Sequence, residues 1–125
     1  MKFVEYQDVS RYRIRAYEAN RIRLEQEWIT LPCALCAQKL VADWQPSNAN
    51  VLSLTDFSQL IAAHPADLII VGRTQQPEWN PAWMKLQAEL NAQAIGLEQM
   101  HIDAAIRTFN VLTTEERSVW LVLLG

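Results

Sequence analysis

The stretch ADLIIVG, residues 66–72, decides the fold. Leu68, Ile69, Ile70 and Val71 run without alternation, and Gly72 ends them. Apolar side chains on both faces describe a central strand covered on both sides. Upstream, SLTDFSQLIAAHP (53–65) reads as a short helix, with Thr55 as N-cap, Phe57, Leu60 and Ile61 on one face, and Pro65 as the stop. Downstream, RTQQPEWNP (73–81) is an irregular loop. Asn80 followed by Pro81 then signals a helix through about Gln93. AIGLEQM (94–100) is a further strand, about Asp103 to Glu115 a third helix, and SVWLVLL (118–124) a buried closing strand. In the third helix Ala104, Ile106, Val111 and Leu112 do not form one stripe, which predicts burial on more than one side.

The front of the chain follows another period. In YRIRAYEANRIRLEQEWI (12–29) arginines alternate with apolar residues. Arg11, Arg13, Arg15, Arg21 and Arg23 fall on one face, and Tyr12, Ile14, Ala16, Ile22 and Leu24 on the other. A period of two describes strands with one wet side, turning at EAN because Asn20 tolerates left-handed backbone. A strand from about Trp28 to Cys36 carries Pro32, which confines it to an edge or a bulge. KLVADW reads as a short strand ending near Trp44, and QPSNAN (45–50) as a loop. Hairpins in front and helix–strand alternation behind predict an α/β fold: three layers, a mixed central sheet with helices packed on it, and an N-terminal β-hairpin layer.

A chain of 125 residues fits a single domain spanning 1–125. The net charge of -3 argues against a surface built to grip nucleic acid, so no nucleic-acid partner is expected. The longest apolar run, VWLVLL, is far short of the ~18 residues of a membrane helix. The opening MKFVEYQDVSRYRIR lacks the apolar core of a signal peptide. Two cysteines and no export signal make a reducing cytoplasm the expected location.

Those cysteines, Cys33 and Cys36, have the C-x-x-C spacing of redox and zinc sites. On a strand, residues three apart point to opposite faces, so the pair is expected to be buried thiols without a chemical role. Only His64 and His101 could complete a metal site, and neither makes a second pair, so no metal is expected. VGRTQQ holds one glycine and no dinucleotide or phosphate-loop fingerprint, and no cofactor is expected. No nucleophile-elbow pattern is present and no catalytic residue is assigned. His101 with Asp103 is read as a surface histidine beside a helix cap, Asp103 being the N-cap. The arginine face is read as a solvated sheet face paired to Glu18, Glu25 and Glu27.

Two groups remain as candidate sites. Trp79 and Trp83, with Pro77 and Pro81, form an aromatic segment that marks a partner surface if exposed. On the third helix Arg107 and Asn110 are three apart and share a face, with Thr108 beside them and Arg117 beyond the helix end. With Gly72, Arg73 and Thr74 they could hold a small anion, since ligands favour the carboxyl ends of strands in open α/β sheets. The competing reading is a polar network that joins helix to loop through Arg107.

ADLIIVG, together with GLEQMHIDAAIRTFNVLTTEERSVWLVLL (96–124), resembles a small α/β family, domain of unknown function four-nine-eight. Gly72 matches the first glycine of that family's Gly-Thr-Gly, with Arg73 and Thr74 in place of the other two residues. Glu98 and Met100 match its Glu-x-Met strand end. Ala104, Ala105, Arg107, Thr108, Asn110 and Leu112 match its helix motif, where Ile106 replaces a cysteine and Phe109 a tyrosine. Glu115 and Arg117 match a Glu-Gly-Arg turn whose glycine is Glu116 here. The resemblance implies a three-layer α/β fold. It also implies kinship with a mitochondrial complex I assembly factor and with a cytosolic protein linked to adipocyte differentiation. The expected role is therefore a non-enzymatic one, binding a protein partner or acting like an assembly factor. The alternative is an anionic-ligand binder or enzyme with a cleft near Gly72 and Arg107. Oligomeric state is left open.

Overall fold

The computed structural model describes residues 12–76 and 79–125. Its elements run β1 (Ile14–Glu18), β2 (Arg21–Leu24), β3 (Glu27–Thr30), β4 (Cys33–Leu35), β5 (Leu40–Val41), α1 (Leu54–Ala63), β6 (Leu68–Arg73), α2 (Pro81–Asn91), β7 (Gly96–His101), α3 (Ile102–Thr114) and β8 (Val119–Leu123). β1, β2 and β3 form an antiparallel sheet, and the other strands form a mixed sheet in the order β5-β4-β8-β6-β7. The apolar run at 68–71 is central: β6 pairs in parallel with β7 on one side and β8 on the other. Both of its faces are therefore covered, as its unbroken hydrophobicity requires.

Three layers result. Ala34, Cys36, Ile69, Val71, Trp120 and Val122 point to one face of the five-stranded sheet, where they meet Phe57 and Leu60 of α1 and Trp83, Leu86 and Leu90 of α2. Cys33, Leu35, Ile70, Leu121 and Leu123 point to the other face, against Ile102, Ala105 and Phe109 of α3 and Ile14, Ile22, Leu24 and Ile29 of the hairpin layer. The period of two thus delivers each strand to two cores at once.

Several local expectations are corrected. The stretch 28–36 is not one strand: the chain leaves the first sheet after Thr30 and enters the second at Cys33, with a cis Leu31–Pro32 bond between. Proline lacks the N–H a continuous ladder would use there. In 39–44 only Leu40–Val41 is strand, and Trp44 stacks on Phe57 with centroids 6.2 Å apart. α1 is capped by Ser53 and not by Thr55. The Asp56 carboxylate, at the third helical position, accepts from the Ser53 N–H at 2.9 Å, which fixes the start two residues earlier. α3 is capped by His101, whose Nδ1 accepts from the Asp103 N–H at 3.3 Å, so Asp103 lies inside the helix. α3 also buries one stripe, Ile102, Ala105, Phe109 and Thr113, and not several sides, while Val111 is 56% exposed. The stripe has helical spacing once Phe109 and Thr113 are counted with it.

In the hairpin layer Ala19 and Asn20 both have positive φ, 51° and 62°, and make the two-residue turn. A bulge between Ile14 and Ala16 shifts the register, so Tyr17, opposite Ile22, takes the inner face in place of Ala16. The extra residue reverses the alternation of everything after it. Arg11 and Pro77 lie outside the described residues.

Candidate functional site

The carboxyl end of β6 is built by close packing. A Cβ on Gly72 would lie 2.7 Å from Leu123 Cδ2 and 2.9 Å from Ala105 Cβ, so α3 approaches the strand over the glycine hydrogen. The Gly72 carbonyl accepts from the Leu124 N–H at 3.0 Å. This glycine is a packing residue and offers no open phosphate cradle. Next to it, Arg73 donates from Nε to Gln99 Oε1 at 3.2 Å and from a terminal nitrogen to the Ala49 carbonyl at 3.3 Å. Arg73 thereby fastens the 45–50 loop to the strand ends, and Thr74 is exposed in the bend that follows.

The two tryptophans separate. Asn80 Oδ1 accepts from the Trp83 N–H at 2.9 Å, as its position before Pro81 predicts, and this turns Trp83 inward to 4% exposure. Trp79 stays 64% exposed and meets the Trp83 ring edge-on, with centroids 6.1 Å apart. A groove of about 420 Å³ runs between α1 and α2, lined by Val51, Leu54, Ala82 and Leu86 with Lys85 and Glu89 on its rim. Val51 is 48% exposed, and Met84, on the same helix as Lys85, is 61% exposed. Val51 and Met84 were not picked out in the sequence, because a lone apolar residue in a polar loop or on a helix gives no period to read.

Asn110 and Arg107 share a face of α3, as their spacing requires, and that face turns toward β1. The Asn110 side chain accepts from the Ile14 N–H at 3.2 Å and donates to the Ile14 carbonyl at 3.0 Å. It pairs with that residue as a neighbouring strand would. Arg107 is exposed and lines a depression of about 230 Å³ with Ile14, Arg15, Ala16, Tyr17, Asp103 and Ile106. Arg107 and Gly72 are therefore not brought together: Gly72 looks onto Ile102, Ala105 and Leu123, while Arg107 looks onto β1. Arg107 is also not the centre of a sealed polar network; Asn110 carries the helix-to-strand contact instead. Thr108 lies over Met100, its Oγ1 3.7 Å from the sulfur.

Arg117 is exposed beyond α3, where its N–H donates to the Leu112 carbonyl at 2.9 Å and the Glu116 N–H to the Thr113 carbonyl at 3.0 Å. This is a Schellman closure with Glu116 at φ 62°, the position where glycine is preferred.

Cys33 and Cys36 are free and buried on opposite faces of the sheet, one in each core. Burial pushes the Cys33 thiol up to about 12 and raises that of Cys36 as well. Neither thiol is an activated nucleophile. Among the described residues no three His, Cys, Asp or Glu side chains are grouped to hold a metal, and no helix is long and apolar enough to cross a membrane. Arg13 donates to Thr114 Oγ1 on α3 at 2.9 Å, and the other arginines of the hairpin layer are engaged locally. Arg15 pairs with Glu25 at 2.7 Å, Arg21 with Glu18 at 3.7 Å, Arg23 donates to the Glu25 carbonyl, and Arg21 lies 4.1 Å over the Trp28 ring.

A three-layer α/β scaffold with an exposed aromatic corner and an apolar groove is the class that fold and surface define. Residues 14–124 match the family described as protein of unknown function (DUF498/DUF598), and the chain belongs to it. Solved structures agree. The crystal structure of a Bordetella parapertussis protein is 25% identical, with TM-score 0.77, covering 93% of this chain and 97% of its own. The NMR structure of Xanthomonas campestris XCC1710 is 27% identical, with TM-score 0.73, covering 90% and 83%. The solution structure of a Mth938-like domain from Bordetella pertussis is 23% identical, with TM-score 0.71, covering 90% and 85%. No curated protein matches the sequence.

Proposed function

We propose that this chain works as a single-domain, non-enzymatic protein-binding module of the assembly-factor type, and that its partner docks on the corner formed by Trp79 and the α1–α2 groove. One observation carries the reading: a 64% exposed tryptophan just ahead of α2, the helix that forms one wall of an apolar groove of about 420 Å³. Tryptophan is enriched at the anchoring centres of interfaces, and exposed apolar surface rimmed by charge marks contact sites. Lys85 and Glu89 supply that rim. Trp83 supports the ring from beneath and is not itself a contact residue. The inert, buried thiols fit a reducing cytoplasm.

A photo-crosslinking amino acid at position 79, compared with the same group at exposed Glu115, tests this in cells of the source organism. The reading expects one protein captured at 79 and absent at 115, and expects the purified pair to bind at least ~10-fold more weakly after Trp79→Ser, as loss of an anchoring aromatic does. Equal capture at both positions, or unchanged affinity of Trp79→Ser, overturns it.

A further inference from the structure

The depression beside Arg107 lies where a fourth strand of the hairpin sheet would lie. Glu18 and Arg21 flank the two-residue turn and form the closing hydrogen-bonded pair, so Tyr17 and Ile22 form the next, non-hydrogen-bonded pair. The backbone N–H and C=O of Tyr17 consequently point away from β2, to an edge of the sheet that no described strand pairs with. Across the bulge, those of Ile14 point the same way, and there the Asn110 side chain satisfies both. α3 thus runs along the strand edge and substitutes for a neighbour at one end only. From Asn110 back to Asp103 the helix climbs roughly 10.5 Å, and from Ile14 to Tyr17 the strand climbs about 10 Å, so the two track each other. Between them lies the slot of about 230 Å³, with Ile14, Ala16 and Ile106 as apolar lining and Arg15, Arg107 and Asp103 as its charges. Arg15 is held by Glu25 and Asp103 lies 3.7 Å from His101. Arg107 has no hydrogen bond or ion pair with the described residues.

We propose that this slot receives an extended acidic segment of a partner protein, laid antiparallel or parallel to β1. Its backbone would pair with the Tyr17 N–H and C=O, and a carboxylate side chain would meet Arg107. The backbone edge selects an extended chain over a helix, because only a strand presents donor and acceptor at that spacing. The guanidinium, which bonds no described side chain although Asp103 shares the slot, selects the acidic residue. Asn110 fixes the register, since a strand cannot advance beyond Ile14. This surface is distinct from the Trp79 corner and stands or falls apart from it.

The test pans a phage-displayed random octapeptide library against the wild-type protein and measures synthesised winners by fluorescence anisotropy. The proposal expects winners with Asp or Glu among alternating apolar residues. It expects their affinity to fall at least ~10-fold with Arg107→Glu and with Tyr17→Pro. The proline removes the outward N–H and the ring but leaves the ladder to β2, and Tyr17→Val separates loss of the ring from loss of the donor. Amide exchange at Tyr17, fast in the free protein, should slow on adding the peptide. Trp79→Ser should bind the peptide as wild type does, so failure of the corner surface and failure of the slot are told apart. Winners indifferent to both Arg107→Glu and Tyr17→Pro, a library without winners, or binding lost equally in Tyr17→Val and Tyr17→Pro would each overturn the proposal.

Discussion

Asn110→Ala tests whether this side chain holds the hairpin layer on the helix or waits for a ligand. The structure gives it two bonds, 3.2 Å from the Ile14 N–H and 3.0 Å to the Ile14 carbonyl, in a half-buried setting. Each such bond contributes about 1 kcal/mol net, and leaving its backbone partner half-buried and unpaired adds a share of the ~1–3 kcal/mol desolvation cost. Water reaches part of the site, so the sum is about 2–3 kcal/mol. At roughly 3–5 °C per kcal/mol for a chain of this size, the melting temperature should fall by about 6–15 °C. Urea unfolding followed by tryptophan fluorescence reads the same loss as a lower midpoint at unchanged slope. Asn110→Asp keeps the shape and the acceptor but sets a carboxylate against the Ile14 carbonyl, so it should be no more stable than the alanine variant. A loss below ~0.5 kcal/mol for Asn110→Ala would refute the structural role and return this residue to the candidate ligand contacts.

Gly72→Ala places a methyl 2.7 Å from Leu123 Cδ2 and 2.9 Å from Ala105 Cβ; the leucine tip can turn aside but the helix cannot, so a loss of about 1–3 kcal/mol is expected by chemical denaturation. Glu116→Gly relieves a left-handed backbone at φ 62° and should stabilise by up to ~1 kcal/mol in the same assay. Trp83→Ala should cost about 3–5 kcal/mol and Trp79→Ala less than ~0.5, a contrast that two thermal melts decide. Alkali gives a signed prediction. Above the ordinary thiol value of 9.0 the unfolded chain loses the Cys33 proton while the folded chain keeps it to about 12, so stability is lost as pH rises through that window. At pH 10 the loss from this thiol is about 1 kcal/mol, measured as the difference in pH slope between wild type and Cys33→Ala.

Much of the fold was legible because the chain states it twice. The run Leu68–Val71 is apolar without alternation, and the one place for such a strand is between two neighbours and two layers. The helices around it carry caps and stops that do not depend on tertiary context, such as Asn80 before Pro81 and Pro65 after α1. Readings failed where one residue's effect propagates. The bulge after Ile14 moved Tyr17 inward and Ala16 out, and no local pattern distinguishes a bulged strand from a regular one of the same composition. At both mistaken caps a side chain bonds a backbone group two or three residues along, Asp56 back to Ser53 and His101 forward to Asp103. In each case the neighbouring Thr or Asp satisfied the simple rule equally well.

The site was legible as a set of residue types and not as a place. Spacing put Arg107 and Asn110 on one face of a helix, which is true, but spacing is silent on what that face meets. The face meets the edge of β1, and a strand edge treats the two residues oppositely. An amide matches a peptide group, donor for acceptor, so Asn110 is consumed by Ile14. A guanidinium has donors only and cannot satisfy both groups of a strand edge, so Arg107 is left in solvent beside the slot. Expecting the pair to act together therefore joined a completed contact to an open one. The same logic divides Trp79 from Trp83. Four residues apart, they would share a face inside one helix, but Asn80 starts the helix between them, and the cap sends one ring into the core and leaves the other outside. In both pairs the decisive fact is which residue already has its partner within the chain, and that is fixed by packing between elements far apart in sequence.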